Sequence, residues 1–414
     1  MNFFIIYYIS ALSVLFYFIY YVNITVEKPK YTFGSNWTTS KPHPNKSLLS
    51  LVMIVKNEAD TIQKVLESTK DTIDRYTILD TGSTDNTIDI ILSTFKNIPG
   101  NIFTEPFVDF STSRNRAIEL DNNKSTFILM LSGNEYIRYG STIRSFCQQQ
   151  QNTSNEVFNV QIKYGQNLKY DSARIFRSKA NWFYVGSTHE YLTNSTRHIA
   201  RNKIIHHKRT PYIYHDRSTT SPEQQKQRCL KDIQLLKKEL KTKSASTRTL
   251  FYLAQSYQCA KQWKEAYSFY KRRINEKSGK EEIYESMYRL AIVSEHLNYP
   301  WIKIQQLYLN AFEFSKSNRS EPLYKIAKHY YDKEEYYSAF LFLKQASEIE
   351  FPKDWKLFVT PSIYHYDIPS MLANVSYYLN KPKVGLQQIS KLLKHTNDPI
   401  FLQMYLHFQI KLGE

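Results

Sequence analysis

Cysteine is scarce in this chain, since only three of its 414 residues are cysteine. Cys147, Cys229 and Cys259 lie far apart in the sequence and are odd in number. This pattern encodes neither a disulfide framework nor a zinc site of closely spaced thiols. We therefore expect all three to be unlinked thiols in protein cores.

The sequence signatures of nucleic-acid-binding domains are also missing. The chain is basic, with 55 Lys and Arg against 38 Asp and Glu and a formal net charge of +17, and a field of this sign favours anionic partners. The basic residues are nevertheless scattered along the whole chain, without a zinc-finger, RNP or basic-zipper pattern. We expect a solvated basic surface and no nucleic-acid partner.

Charge is absent from the first part of the chain. From Phe3 to Val22 no residue is charged and most are apolar, which is enough to cross about 30 Å of hydrocarbon as a helix. A cleaved signal peptide is the alternative, but the apolar run is long and no small-x-small cleavage site follows it. The sequence predicts a transmembrane anchor over residues 1–22, a polar stalk over 23–47 and a single-pass membrane protein, with the side of the membrane left open.

The length of the chain predicts two or three domains, and its patterning favours two. Residues 48–217 alternate short apolar runs with helical periodicity, which is typical of an α/β protein with a doubly wound, mostly parallel sheet. The predicted strands are Leu48–Val55, Tyr76–Leu79, Asn101–Phe103 and Phe127–Leu131.

Polar side chains follow the ends of the first two predicted strands. Lys56 and Asn57 follow the first strand, and Asp80 and Asp85 follow the second. Open parallel sheets bind ligands beyond the carboxyl ends of their strands, so these residues are predicted to lie where a nucleotide would bind. The alternative is that they only cap the helices that come next.

Four motifs give the chain a family resemblance. They are Met53–Glu58 (MIVKNE), Asp80–Thr87 (DTGSTDNT), Asp109–Asn115 (DFSTSRN) and Gly186–Glu190 (GSTHE). In order and spacing they resemble family 2 glycosyltransferases with a GT-A fold, and most closely the branch with C-terminal tetratricopeptide-like repeats. The resemblance runs from about Leu48 onwards and implies inverting transfer of a sugar from a nucleotide-diphosphate donor, UDP-linked, to an acceptor hydroxyl.

The resemblance also implies roles for individual residues. Glu190 would be the catalytic base, and Glu135 and His189 would be metal ligands. The implied partners are a nucleotide sugar and an acceptor, glycan or protein, that the sequence does not identify. The residues implied in nucleotide-sugar binding are Val55, Lys56, Asn57, Glu58, Asp80, Arg114, Ser132 and Asn134.

The chain departs from the family at the end of the fourth strand. Where the family has Asp-x-Asp, this chain has Ser132-Gly133-Asn134. Neutral Ser and Asn oxygens attract Mn²⁺ or Mg²⁺ less strongly than carboxylates do. Three alternatives follow: weak metal binding through Glu135 and His189, Arg or Lys in place of the metal, or an inactive homologue that serves as a membrane-bound binding or scaffold protein.

Histidines occur in two segments after the fourth strand. His189 and Glu190 could equally be a hydrogen-bonded structural pair at a strand end. A second polar cluster is predicted to form a hydrogen-bond network rather than a metal site, because it sets no ligand spacing. It consists of His206, His207, His215 and Asp216.

Residues 222–414 have helical periodicity and almost no strand signal. Ala254, Ala291 and Ala327, each after a Leu or Ile, recur at spacings of 37 and 36 residues. This predicts an all-α, tetratricopeptide-like solenoid of stacked helical hairpins. Such an array could be a capping or scaffolding unit, which we favour, or a surface that grips the acceptor.

Overall fold

The chain divides into two compact units, Met1–Thr219 and Thr220–Glu414. The computed structural model describes residues 36–39, 47–164, 168–194, 202–203, 210–215, 221–242, 245–355, 357–394 and 396–413.

No helix within those ranges is long and apolar enough to cross a membrane. The predicted anchor, residues 1–22, lies outside them. The structure does not support the prediction of a single-pass membrane protein, and we correct it. That prediction rested on an uncharged apolar run, a feature that membrane anchors share with signal peptides and buried segments.

The first unit is built on one 10-stranded sheet with the order β1-β4-β3-β2-β5-β8-β7-β12-β6, which β11 joins through β7. Strands β4, β3, β2 and β5 are neighbours and run parallel, while β9 and β10 form a separate hairpin. The strands are β1 Asn36–Thr39, β2 Ser47–Val55, β3 Arg75–Asp80, β4 Gly100–Thr104, β5 Ser125–Ser132, β6 Glu135–Arg138, β7 Val157–Tyr164, β8 Leu168–Arg177, β9 Trp182–Val185, β10 Tyr191–Asn194, β11 Asn202–Lys203 and β12 Tyr212–His215.

Helices of the first unit cover the parallel strands. Eight of the nine residues of β2 are buried, because hydrophobic clusters fill the space on both faces of the sheet. The mostly parallel α/β fold class, as implied by the GT-A resemblance, is confirmed. The helices are α1 Ile62–Thr69, α2 Thr87–Thr94, α3 Phe110–Asp121 and α4 Gly140–Gln150.

One strand of the sheet comes from the segment that was predicted to be a stalk. Asn36–Thr39 pairs antiparallel with Gly100–Thr104 at the edge of the sheet. An edge strand presents unpaired backbone N–H and C=O groups, and a short extended segment can satisfy them whatever its own side chains are. The polar composition of residues 23–47 therefore gave no warning of this strand.

The second unit is a series of helices, each packed against the next along the chain. Ala254, Ala291 and Ala327, the predicted repeat positions, are fully buried and lie in α6, α8 and α10, so the predicted helical-repeat solenoid is confirmed. The helices are α5 Pro222–Glu239, α6 Thr247–Cys259, α7 Trp263–Ile274, α8 Lys280–His296, α9 Trp301–Phe314, α10 Glu321–Asp332, α11 Tyr336–Ser347, α12 Ile368–Tyr378, α13 Pro382–Leu392 and α14 Pro399–Leu412, with a π-helix at Ile363–Asp367 before α12.

Two of the three cysteines are linked. Cys229 on α5 and Cys259 at the end of α6 form a disulfide with their Cα atoms 6.1 Å apart. The prediction of three unlinked thiols is wrong for this pair and correct for Cys147, which is free and buried. The 30-residue separation of the pair becomes a contact only because α5 and α6 fold back on each other, which the spacing of the cysteines alone does not reveal.

Candidate active site

Hydrogen bonds join the loops that follow β2 and β3. The Asn57 N–H donates to Ser83 Oγ over 2.9 Å, and the Thr84 N–H donates to Asn57 Oδ1 over 2.7 Å. The Glu58 N–H donates to Thr87 Oγ1 over 2.8 Å. Asn57 has a left-handed φ of 52°, a conformation that asparagine tolerates better than most residues. The two strand ends thus form one rim of the sheet.

Asp80 anchors the turn after β3. It is buried, and its carboxylate accepts hydrogen bonds from the N–H groups of Gly82 and Ser83 at 3.1–3.2 Å. Val55, its register partner on β2, accepts hydrogen bonds at its carbonyl from the N–H and the hydroxyl of Thr81. Asp80 therefore has a structural role in this turn, in addition to any role in ligand binding.

The loop after β2 also reaches the turn after β5. A Cβ atom on Gly133 would lie 2.5 Å from Glu58 Cγ, so only glycine allows the Glu58 side chain to cross this turn. Lys56 is exposed beside the turn after β3, where a Cβ atom on Gly82 would lie 3.9 Å from its Nζ. The predicted residues Lys56 and Glu58 therefore lie along a continuous edge that ends at Ser132–Asn134.

Arg114 lies at the centre of that edge. Its Nε donates to Glu190 Oε1 over 2.6 Å and its Nη2 donates to Ser132 Oγ over 3.1 Å, while its guanidinium lies 5.5 Å from the ring centroid of Tyr184. Burial disfavours both charges of the ion pair, but Coulomb attraction outweighs it: the pKa of Glu190 is lowered and the pKa of Arg114 is raised. Both groups are therefore charged at neutral pH.

Glu135 forms a second buried ion pair beside the first. Its Oε1 accepts from Arg174 Nη2 over 2.6 Å, and its Oε2 accepts from the Ser132 N–H over 2.9 Å. His215 Nδ1 lies 3.9 Å from the same Oε1. Burial raises the pKa of Glu135, but the charges of Arg174, His215 and Arg114 together hold it below its ordinary value. Glu135 is thus an ionised carboxylate held by protein donors.

The donor set of this edge does not fit Mn²⁺ or Mg²⁺. Ser132 and Asn134 offer neutral oxygens, and both oxygens of Glu135 are engaged by protein N–H groups. His189 is exposed, with a φ of 51°. Within the part of the chain that the structure describes, no group of three or more His, Cys, Asp or Glu could hold a metal ion. The metal-ligand roles of Glu135 and His189 gain no support from this geometry.

Arg114 lies on helix α3, whose position is fixed by a cap at its first turn and by hydrogen bonds to β9. Asp109 caps its first turn, with Oδ1 accepting from the Thr112 N–H over 2.7 Å. Asn115, next to Arg114, donates from Nδ2 to the Tyr184 carbonyl over 2.9 Å and accepts from the Tyr184 N–H over 2.7 Å. The side chain of Asn115 therefore pairs with β9 as a neighbouring strand would.

Sequence reasoning missed two members of this cluster, Arg174 and Tyr184, and did not connect His215 with it. Arg174 lies on β8, which pairs antiparallel with β5, and His215 on β12 is the register partner of Glu135. These contacts arise from strand pairings at long sequence separation. The Arg114-Asn115 pair of the third motif was the only local signal near them.

A model of the family described as Glycosyl transferase family 2 matches residues 50–131. The match includes the loops after β2 and β3, the Arg114 helix and most of β5. Residues 50–131 form a glycosyltransferase family 2 domain. The predicted family resemblance is confirmed, and the domain supports a role in glycosyl transfer.

The chain matches only part of the length of two curated relatives. The chain is 26% identical over 235 residues to the SPbeta prophage-derived glycosyltransferase SunS of Bacillus subtilis, covering 54% of this chain and 52% of SunS. It is 30% identical over 149 residues to a TPR repeat-containing protein of Synechococcus elongatus, covering 36% of each. The chain thus spans about a third to a half of the length of the curated relatives it matches.

Solved structures are similar at low identity. TarS 1–349 of S. aureus, in complex with UDP-GlcNAc, is 12% identical with a TM-score of 0.32, covering 63% of this chain and 83% of TarS. The C-terminal part of a TPR repeat-containing protein from Cytophaga hutchinsonii is 13% identical with a TM-score of 0.36, covering 45% of this chain and 67% of that one.

Proposed function

We propose that the protein transfers a sugar from a nucleotide-diphosphate donor, UDP-linked, to an acceptor hydroxyl with inversion at the anomeric carbon. The observation that carries the proposal is the convergence of Asn57, Asp80, Arg114 and Ser132 with Glu190 at the carboxyl edge of parallel strands in a family 2 domain. Ligands of open parallel sheets bind at this edge.

The residues of the rim have the chemistry that a nucleotide requires. A carboxylate such as that of Asp80 accepts hydrogen bonds from a base N–H or a ribose hydroxyl. The loop Val55–Glu58 brings the exposed Lys56 ammonium to the same edge. Arg114 brings a charged planar donor, which suits phosphate oxygens.

The proposed reaction is a single displacement. The acceptor oxygen forms a bond to the anomeric carbon while the bond from that carbon to the diphosphate oxygen breaks, and the electron pair leaves with the diphosphate. The acceptor proton passes to a base, for which Glu190 stays our candidate. The Arg114 ion pair keeps Glu190 ionised, as a base must be, but also makes it a weaker base by lowering its pKa. No step is assigned to a metal.

An inactive homologue is the second candidate, and it belongs to the class of binding proteins. The neutral pair Ser132 and Asn134 favours it, together with the engagement of Glu190 by Arg114. Such a protein would bind a nucleotide and be stabilised by it, yet would release no nucleoside diphosphate from a nucleotide sugar.

A panel of nucleotide sugars separates the two candidates. Each nucleotide sugar is incubated with the full chain in EDTA and in Mn²⁺. Two quantities are measured: the nucleoside diphosphate that is released and the shift in the melting temperature of the protein. Activity should fall at least tenfold in Asp80→Ala and Glu190→Ala, and should be unchanged in Asp89→Ala, whose side chain is exposed on α2. Stabilisation by a nucleotide without turnover would favour the inactive homologue, and neither effect with any sugar would refute both.

A further inference from the structure

Three buried hydrogen-bond donors around the Arg114–Glu190 pair have no partner among the described residues. They are Arg114 Nη1, Arg174 Nε and Tyr184 Oη. Buried donors are nearly always paired in folded proteins. Three unpaired donors on neighbouring side chains point to a ligand that supplies oxygen atoms.

The three side chains belong to one electrostatic cluster. The Arg114 guanidinium faces the Tyr184 ring, and burial raises the pKa of Tyr184 while the charges of Arg114 and Arg174 both act to lower it. The cluster has an edge towards solvent, because Glu190 is 15% exposed and Ser132 is half-buried. A ligand at the strand ends therefore meets the cluster on the side of Glu190 and Ser132.

The charges of the cluster are already balanced without a metal. An Asp-x-Asp pair brings two negative charges, and a bound divalent cation offsets them. Here the two carboxylates, Glu135 and Glu190, are each paired at 2.6 Å with a guanidinium, Arg174 and Arg114 respectively. The two positive charges that a metal would supply are thus part of the protein.

We propose that the diphosphate of the donor binds to Arg114, Arg174 and Tyr184 without a divalent metal. The inference rests on the proposed function, since it takes the ligand to be a nucleotide diphosphate. Guanidinium N–H groups form charge-assisted hydrogen bonds to phosphate oxygens, and a fixed guanidinium stabilises the charge that develops on the leaving oxygen. Glu135 is then a positioning residue, because it orients the Arg174 guanidinium, and Glu190, the candidate base, orients the Arg114 guanidinium in addition.

The test compares each nucleoside diphosphate with its own nucleoside. UDP, GDP, ADP and CDP and their nucleosides are titrated into the full chain by calorimetry, in EDTA and in Mn²⁺. The ratio of the two affinities isolates the contribution of the diphosphate. For the nucleotide that binds, we expect this ratio to be at least about a hundredfold in EDTA and to change by less than about threefold in Mn²⁺.

Variants of the guanidiniums should act on that ratio alone. Arg114→Gln and Arg174→Gln should each lower it by about 10- to 100-fold, with nucleoside affinity unchanged. Arg116→Gln is the matched control: it lies on the same helix, pairs with Glu105 and should leave the ratio unchanged. Tyr184→Phe removes only the hydroxyl and should lower the ratio about threefold or more.

The outcomes separate this inference from the proposed function. A diphosphate preference that exists only in Mn²⁺, or that survives in Arg114→Gln and Arg174→Gln, would overturn metal-free binding while leaving a nucleotide-sugar transferase intact. Binding of no nucleoside or nucleotide under any condition would overturn both. Removing one guanidinium leaves a buried carboxylate unpaired, so each variant is checked by circular dichroism. If the Gln variants do not fold, the EDTA comparison of the unmodified chain and the Tyr184→Phe variant decide the question.

Discussion

Asn115 is the residue through which helix α3 holds strand β9, and its removal should loosen the active-site edge. In Asn115→Ala the Tyr184 N–H and carbonyl lose the partners that they now have at 2.7 and 2.9 Å. Asn115 is 3% exposed, so water cannot readily replace the amide. The change also affects the cluster directly, since Arg114 precedes Asn115 on the same helix.

The magnitude follows from the two hydrogen bonds. Each bond contributes about 1 kcal/mol net, and a buried group left unsatisfied costs about 1–3 kcal/mol. We therefore expect the free energy of unfolding of the first unit to fall by about 2–4 kcal/mol. At about 2–4 °C per kcal/mol for a unit of this size, the melting temperature should fall by roughly 5–15 °C.

Two measurements check this prediction. Scanning calorimetry of the full chain reports the melting temperature, and amide hydrogen exchange reports the Tyr184 N–H, which should exchange faster once its acceptor is gone. Asn97→Ala, at an exposed position before β4, is the control and should change stability by less than about 0.5 kcal/mol. A melting temperature within about 1 °C of the unmodified chain, with no faster exchange at Tyr184, would show that Asn115 does not hold β9.

Two further predictions concern cysteine chemistry and helix packing. Iodoacetamide at pH 8 should label no cysteine in the native protein, because burial raises the pKa of the Cys147 thiol to about 12 and Cys229 and Cys259 are linked. Mass spectrometry should find one labelled cysteine after unfolding without reductant and three after unfolding with reductant. Three labelled cysteines without reductant would refute the disulfide. Gly385→Ala should destabilise the second unit by about 1–3 kcal/mol, because its Cβ would lie 2.2 Å from the Phe408 ring. Denaturant titration measures that loss, Phe408→Leu in the same chain should recover part of it, and an unchanged midpoint for Gly385→Ala would contradict the close packing.

The parallel core was predictable because each of its strands is marked by a run of apolar residues that are consecutive in the sequence. The apolar runs around Leu51 and Leu129 mark strands buried on both faces, and polar residues directly after such strands must meet at one edge. This is why Asp80 was predicted to lie at the ligand-binding edge before the structure was known, whereas the role of Ser132 came from the family resemblance. The helical repeats were predictable for a similar reason, since the spacing of small residues repeats along the chain.

The antiparallel part of the sheet and the ion pairs were not predictable in this way. Arg174 and Glu135 form an ion pair although they are 39 residues apart in the sequence, and the disulfide joins residues 30 positions apart. Such contacts depend on which strands and helices pair, and no local pattern around either residue specifies this. The sequence therefore identified the loss of Asp-x-Asp, but not the two guanidiniums that lie beside the altered positions.

The hydrogen bonds between the loops after β2 and β3 have a consequence for engineering donor specificity. Asn57 and Glu58 in one loop are matched to Ser83, Thr84 and Thr87 in the other, through both backbone and side-chain atoms. Grafting one loop alone from a homologue would replace one partner of each of these hydrogen bonds and leave polar groups of the other loop without a partner. A successful chimera must exchange both segments together, as a single module, even though 20 residues or more of unrelated helix and strand separate them in the gene.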